Sequence, residues 1–259
     1  MAWEQECFSI DSDDEVQPMK VIAVNGSPRK KWNTATLLEK ALEGAASQGA
    51  DTELIHLYKL KFTGCVSCFA CKTIGGKNYG KCAAKDDLSL ILEKIGEVDA
   101  LILGSPIYFG TVSGEMKSFM ERLLFPYIAY SAPPQKIFTR KINAGFIYTM
   151  NASEGSIKEF RTKRIAAINE FVMKESLIAL ETYQATLHIA INEYLMKMVF
   201  GTAESLLSCQ TYQFEDYSNV VSSLFDPQEI AQRRKEVFPK DCEKAFEMGA
   251  RFAMMNELS

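Results

Sequence analysis

Through its first 150 residues the chain alternates short β-rich apolar runs with amphipathic helical stretches, and this rhythm leaves few folds open. KVIAVNGS (20–27) ends in a Gly turn and reads as a buried strand. NTATLLEKALEGAASQG (33–49) follows with helical spacing through Leu37, Leu38, Ala41, Leu42 and Ala45. Asn33 or Thr34 is expected to cap that helix and Gly49 to end it. DTELIHLY (51–58) alternates like a strand, and a Cys-rich irregular loop comes next. DDLSLILEKIGEVD (86–99) reads as a helix with two acids at its positive end. ALILGSP (100–106) and INAGFIYTM (142–150) read as strands. GEMKSFMERLL (114–124) between them reads as a helix whose apolar stripe is Met116, Phe119, Met120 and Leu123. Strand, helix, strand in this order builds a parallel sheet covered on both faces, an α/β doubly wound fold.

Beyond residue 151 helices dominate. Residues 152–200 exceed an ordinary crossover and read as two helices, SIKEFRTKRIAAINEFVMKESLIALE and ATLHIAINEYLMKMVF. The second is apolar over much of its circumference, which suits core or a subunit contact. ESLLSCQTYQF (204–214) can supply the last strand, and residues 226–255 read as two closing helices. The expected organisation is an acidic, weakly ordered segment at 1–18 and one domain at 19–259 with a helical insertion at about 152–200.

Composition narrows the function classes. With 47% hydrophobic and 24% charged residues there is apolar sequence for a substantial core. A net charge of −4 argues against a general nucleic-acid binder. No apolar run approaches the ~18 residues that span a bilayer. The first 18 residues lack a cationic region followed by an apolar one, so no secretory signal is expected and the cytoplasm is the default compartment. Only two histidines, His56 and His188, argue against a His-based triad.

In parallel sheets ligands sit at the carboxyl ends of strands. That directs attention to the loops after residues 26, 104 and 149. NGSPRKKWNTATLL (25–38) joins a strand to a helix N-terminus, whose free N–H groups and partial positive charge suit a phosphate. Ser27, Asn33 and Thr34 add short polar groups, and Arg29 adds a charge that can pair with phosphate oxygens. The glycine patterns of dinucleotide and nucleoside-triphosphate loops are absent. A terminal phosphate monoester such as that of FMN fits better. In LGSPIYFGTVSGEMKSFMERL (103–123), Pro106, Ile107, Tyr108, Phe109 and Gly110 can form a slot for a flat ring.

GSPRKKWNT followed by SPIYFGTVSGEMKSFMERL resembles the NADPH-dependent FMN reductases of the flavodoxin-like superfold, over about residues 19–151. TYQFEDYS (211–218) is a weaker echo. The Cys-rich insert is similar to that of the iron–sulfur flavoprotein branch. The resemblance implies FMN held by Ser27, Arg29, Asn33 and Thr34 at its phosphate. Pro106, Ile107, Tyr108, Phe109 and Gly110 lie along its ring, and Thr149, Met150 and Asn151 sit in a third ligand-facing loop. It implies NADPH or NADH as hydride source. The electrons then pass to a small acceptor (quinone, nitro or azo compound) or, through a cluster, to a one-electron acceptor. A homodimer or homotetramer is implied, with 157–200 at the contact. No side-chain acid or base is required for hydride transfer. A flavodoxin-type electron carrier docking to protein partners is the alternative.

Four of the seven cysteines fall at Cys65-x2-Cys68-x2-Cys71 and, ten residues on, Cys82. Four thiolates can hold a [4Fe–4S] cluster or a tetrahedral zinc. Unmetallated, semi-buried thiols are the third reading. The gap before Cys82 is longer than in the iron–sulfur flavoproteins, but Gly75, Gly76 and Gly80 make it flexible enough to close.

Overall fold

The computed structural model describes residues 17–131, 135–162, 177–221 and 226–254; all but the last two residues of the acidic lead-in lie outside them. In chain order the strands are β1 (Lys20–Asn25), β2 (Asp51–His56), β3 (Ala100–Tyr108), β4 (Thr111–Val112), β5 (Ile128–Ala129), β6 (Gln135–Lys136), β7 (Asn143–Thr149) and β8 (Glu204–Ser208). The helices are α1 (Asn33–Ala46), α2 (Asp87–Ile95), α3 (Gly114–Leu124), α4 (Glu154–Thr162), α5 (Leu177–Phe200), α6 (Pro227–Glu236) and α7 (Phe238–Met254). The main sheet runs β2-β1-β3-β7-β8, every neighbouring pair parallel. Counting only these five strands, the order is 2-1-3-4-5, the flavodoxin-like winding. β4 folds back antiparallel on the end of β3.

Successive strand residues supply opposite layers, as the pleat requires. Val21, Ala23, Ile102 and Ile147 face a layer built with Leu37, Leu38 and Ala41 of α1 and Ala245, Met248 and Phe252 of α7. Ile22, Val24, Leu101, Leu103, Phe146 and Tyr148 face the other, with Leu88 of α2, Phe119 of α3 and Ile189 of α5. The strands are therefore buried on both sides, which is why they read as nearly continuous apolar runs. The stripe Met116, Phe119, Met120 and Leu123 is buried as its spacing requires.

Three local expectations are corrected. Neither Asn33 nor Thr34 caps α1: Trp32 stands at the N-cap and makes no side-chain cap bond. Residues 177–200 form one 24-residue helix, so the expected break near residue 182 is absent. The last strand ends at Ser208, and residues 209–214 leave the sheet as a loop.

α1 and α7 approach at backbone distance. A Cβ on Gly44 would stand 1.9 Å from the Phe246 carbonyl oxygen, and one on Gly249 would stand 1.7 Å from that of Ala41. Only glycine permits this crossing. Gly114, at the start of α3, has nothing within 4 Å. We predict that Gly44→Ala or Gly249→Ala costs about 2–3 kcal/mol through overpacking, read as a lower urea midpoint, whereas Gly114→Ala leaves the midpoint nearly unchanged.

Candidate functional site

Because β1, β3, β7 and β8 run parallel, their carboxyl ends share one edge of the sheet. β1 is flanked by β2 on one side and β3 on the other, so the chain reverses its winding there and opens a crevice. β3 also runs past β1: Asn25 pairs with Gly104, and β3 continues to Tyr108. A cleft of about 260 Å³ occupies this edge, lined from four loops. Ser27, Arg29, Trp32, Asn33 and Thr34 come from the first; Pro106, Ile107 and Tyr108 from the second; Thr149, Met150 and Asn151 from the third; Thr211, Tyr212, Gln213 and Phe214 from the fourth.

Buried polar groups set the shape of the first two loops. The Asn25 side chain, fully buried, accepts the Ser27 N–H at 2.9 Å, and Ser27 Oγ accepts the Arg29 N–H at 3.2 Å. Gly26 N–H donates to the Gly104 carbonyl at 2.8 Å. Ser113, the N-cap of α3, donates its hydroxyl to the Gly26 carbonyl at 2.6 Å and accepts the Met116 N–H at 3.3 Å. Its own N–H reaches Ser105 Oγ at 3.0 Å. The turn after β1 is thus bonded directly to β3 at Gly104, and through Ser113 to the start of α3 and to Ser105. A Cβ on Gly26 would come within 2.7 Å of Met116 Cβ, so this turn needs glycine. Across the cleft, Thr34 Oγ1 and Thr149 Oγ1 share a hydrogen bond of 2.8 Å and tie the start of α1 to the tip of β7.

α1 begins inside this cleft. Asn33, Thr34 and Ala35 are all buried, and the first α-helical bond runs from the Thr36 N–H to the Trp32 carbonyl. The first-turn N–H groups, with no side-chain cap, are therefore available to an anion. The side chains around them have other partners. Arg29 Nη1 donates to the Gln213 carbonyl at 2.5 Å; Trp32 Nε1 and Asn33 Nδ2 donate to the Tyr212 carbonyl at 2.9 and 2.7 Å. Arg234 of α6 donates to Asn33 Oδ1 at 2.7 Å. The loop carrying Tyr212 and Gln213 is itself braced by Tyr217, whose hydroxyl accepts the Gln213 N–H at 3.0 Å. This fourth wall, with Trp32, was missed in the sequence as a site. Its only signal was the short run TYQFEDYS.

Of the residues expected at the site, Ser27, Arg29, Asn33, Thr34, Pro106, Ile107, Tyr108, Thr149 and Asn151 line the cleft. Phe109 and Gly110 do not. They are the central pair of the β3–β4 hairpin, with φ of 48° and 76°, as a two-residue turn of this hand requires. The turn carries the Phe109 ring into solvent, 84% exposed. Asn151 Oδ1 is buried in the cleft and has no hydrogen-bond partner among the described residues.

The profile of the NADPH-dependent FMN reductase family matches residues 19–185. The chain belongs to that family. It is 35% identical over 170 residues to an iron–sulfur flavoprotein of Methanocaldococcus jannaschii, an alignment covering 66% of this chain and 80% of that one. Its fold is similar to that of an NAD(P)H:quinone oxidoreductase from Methanothermobacter marburgensis, with TM-score 0.58, 16% identity and coverage of 90% and 98%. It is also similar to an FMN-dependent NADH-azoreductase of Bacillus anthracis solved with FMN, with TM-score 0.56, 10% identity and coverage of 90% and 99%. At these identities the two structures speak for the fold alone. Among the described residues, no helix is long and apolar enough to cross a membrane.

In this FMN reductase the cysteine loop lies against the body of α3. Cys65 and Cys68 are exposed, Cys71 is buried and Cys82 is half-buried. Ser67 and Phe69 both have φ of 54° and bracket Cys68 in a tight, strained turn. Burial pushes the Cys71 thiol up, Lys72 opposes that, and Cys68 and Cys82 are near enough to act on it. Lys72 Nζ donates to the Phe125 and Ile128 carbonyls. The Cys65 N–H reaches Glu121 Oε2 at 3.4 Å. Asp86 caps α2 through the Leu88 N–H, and its bond to Arg122 holds its carboxyl below the usual carboxylate range. No three Cys, His, Asp or Glu side chains among the described residues form a group able to hold a metal ion, so neither the zinc nor the cluster reading has a preassembled ligand set here.

Ser113→Ala removes the hydroxyl that ties the turn after β1 to the start of α3 and leaves the Gly26 carbonyl buried without that donor. We predict a loss of about 1–3 kcal/mol, measured by urea unfolding.

Proposed function

We propose that the chain binds FMN in the four-loop cleft and passes electrons from NADPH or NADH to a small acceptor such as a quinone, nitro or azo compound. One observation carries this reading: an uncapped, buried helix N-terminus opens into a cleft bounded by the tips of β1, β3 and β7. FMN held there supplies hydride acceptance from a reduced nicotinamide and onward electron transfer, chemistry that belongs to the cofactor.

The chain's part is to bind and orient. The first-turn N–H groups of α1, with Ser27 and Thr34, suit the phosphate. Arg29 keeps spare donors for it, because a guanidinium carries five N–H groups and Gln213 engages one amino group. Asn151 Oδ1 is an acceptor awaiting a donor of the kind that the ribityl hydroxyls or the ring imide provide. Ile107 and the 45%-exposed Tyr108 offer an apolar wall against which a flat ring can stack. No titratable side chain in the cleft is needed to move a proton during hydride transfer.

The cysteine loop is read as a [4Fe–4S] site held by Cys65, Cys68, Cys71 and Cys82. Support comes from the four cysteines falling in one short segment whose feet, Thr63 and Asp86, are both bound by Arg122, and from the strained turn around Cys68. Thiols of this kind persist in the reducing cytoplasm, the compartment we propose. α5 exposes Leu187, Ile191 and Tyr194 at helical spacing, a stripe suited to a homodimer or homotetramer contact. An electron carrier docking to protein partners is the second reading, favoured by the exposed Val66, Phe69 and Ile74 on the cysteine loop.

Anaerobic addition of NADPH and of NADH to the FMN-loaded protein should bleach the flavin absorption within the mixing time of a turnover assay. A spectrum unchanged by either nicotinamide excludes the reductase and leaves the carrier. Arg29→Ala should weaken FMN binding about 10- to 100-fold, the equivalent of one charge-assisted bond; equal affinity in the variant removes Arg29 from the phosphate site. Cys71→Ser should abolish iron retention while FMN content stays at the wild-type level.

A further inference from the structure

The loop after β2 lends no residue to the walls of the cleft, unlike those after the other four strands of the main sheet. β2 nevertheless ends beside them. Its last residue, His56, is the register partner of Asn25, the last residue of β1. The ring is half-buried, and its Nδ1 lies 3.0 Å from Asn25 Nδ2. The neighbouring bond decides which atom donates. Asn25 is fully buried, and its Oδ1 accepts the Ser27 N–H at 2.9 Å. A backbone N–H can only donate, so the amide is fixed with its oxygen toward Ser27 and its NH2 group toward His56. That NH2 group also only donates. His56 Nδ1 therefore accepts, which requires a neutral ring with its proton on Nε2. From His56 the bonds run through Asn25 to Ser27, and from Ser27 Oγ to the Arg29 N–H at 3.2 Å.

A proton on Nδ1 sets two donors against each other across 3.0 Å. Either the contact parts or the amide turns over, and a turned amide points its NH2 group at the Ser27 N–H. Both outcomes leave a buried polar group without its partner, which is costly. We propose, resting on the FMN reading above, that His56 is a positioning residue for the phosphate end of the cleft: its neutral ring holds Asn25 in the orientation that shapes the Ser27–Arg29 loop, and a proton on Nδ1 releases that loop. The surroundings favour the neutral ring. Burial is the main cause that holds its pKa below the ordinary histidine value, and Lys59, just past β2, and Lys30 of the first loop act in the same direction. Asn25, beside it on β1, carries no charge, and no carboxylate among the described residues acts on the ring. A histidine depressed in this way makes its full contribution above the ordinary value of about 6.5 and loses it as the pH falls below that. The bound phosphate opposes this by favouring a cationic ring, but its attraction is screened by salt, whereas the lost bonds are not.

The test titrates the full chain with FMN at about pH 8 and about pH 5, on either side of an ordinary histidine, as wild type, His56→Asn and His56→Ala. Asparagine places an amide oxygen where Nδ1 stood and does not titrate, whereas alanine offers no acceptor. At the higher pH His56→Asn should match the wild type to within about twofold, and His56→Ala should bind FMN about tenfold more weakly, the worth of the lost bonds. Between the two pH values the wild type should lose at least about tenfold more affinity than His56→Asn. The ionisation of FMN itself and of His188 is common to both proteins, so the difference belongs to His56. In the FMN-loaded wild type at the higher pH, ring nitrogen-15 shifts should report Nε2–H for the histidine whose signals the His56 variants delete. An Nδ1–H tautomer there, or a wild-type pH profile equal to or opposite from that of His56→Asn, overturns the role of His56 and leaves the FMN reading standing. Should one variant fail to fold, the tautomer and the other variant decide. No FMN binding by the wild type at either pH overturns the FMN reading and the inference with it.

Discussion

A helix N-terminus buried at the end of a parallel sheet without a side-chain cap carries a standing demand for an anion. α1 is such a helix: Trp32 provides no cap, and Asn33, Thr34 and Ala35 are shielded from bulk water. Water is a poor remedy at a buried site, and each unmet donor costs free energy. The neighbouring geometry follows from this point. Asn25 and Ser27 shape the approach, Ser113 locks it to β3, and Thr149 closes it from β7. A phosphate would satisfy the N–H groups and the helix dipole together, and the cleft between the strand tips opens beyond it.

α3 serves both halves of the functional region. At its N-terminus Ser113 organises the first two loops of the cleft, and two turns further on Glu121 and Arg122 engage the cysteine loop. A single rigid element therefore fixes the spacing between the cleft and the thiols. The tight glycine-mediated contact of α1 with α7 plays a similar part on the opposite face: it fixes the helix whose N-terminus opens into the cleft.

Much of this was legible in the sequence where the signal is local. Doubly buried strands read as apolar runs, and the α3 stripe matched its burial residue for residue, because periodicity and burial share one cause. The strand-end rule located the three loops that meet at the cleft. What escaped notice depends on partners far along the chain. Asn33 and Thr34 look like caps, yet their side chains bond Tyr212 and Thr149, more than a hundred residues away. The 211–214 wall was marked in sequence only by the weaker echo TYQFEDYS, and it becomes a wall when β8 joins β7. Phe109 read as a ring contact because aromatic character is visible in sequence, while the positive φ of a hairpin turn is not. Arg122 looks like a solvated helix charge; it is buried because Thr63 and Asp86 fold over it.

The central claim is that the start of α1 recognises a phosphate. Titration of the apoprotein with FMN and with riboflavin, followed by quenching of flavin fluorescence, tests it most directly, since the two ligands differ only in that group. Binding of FMN about a hundredfold or more tighter than riboflavin, the worth of several charge-assisted bonds, is the predicted result. Equal affinity for the two would contradict the account.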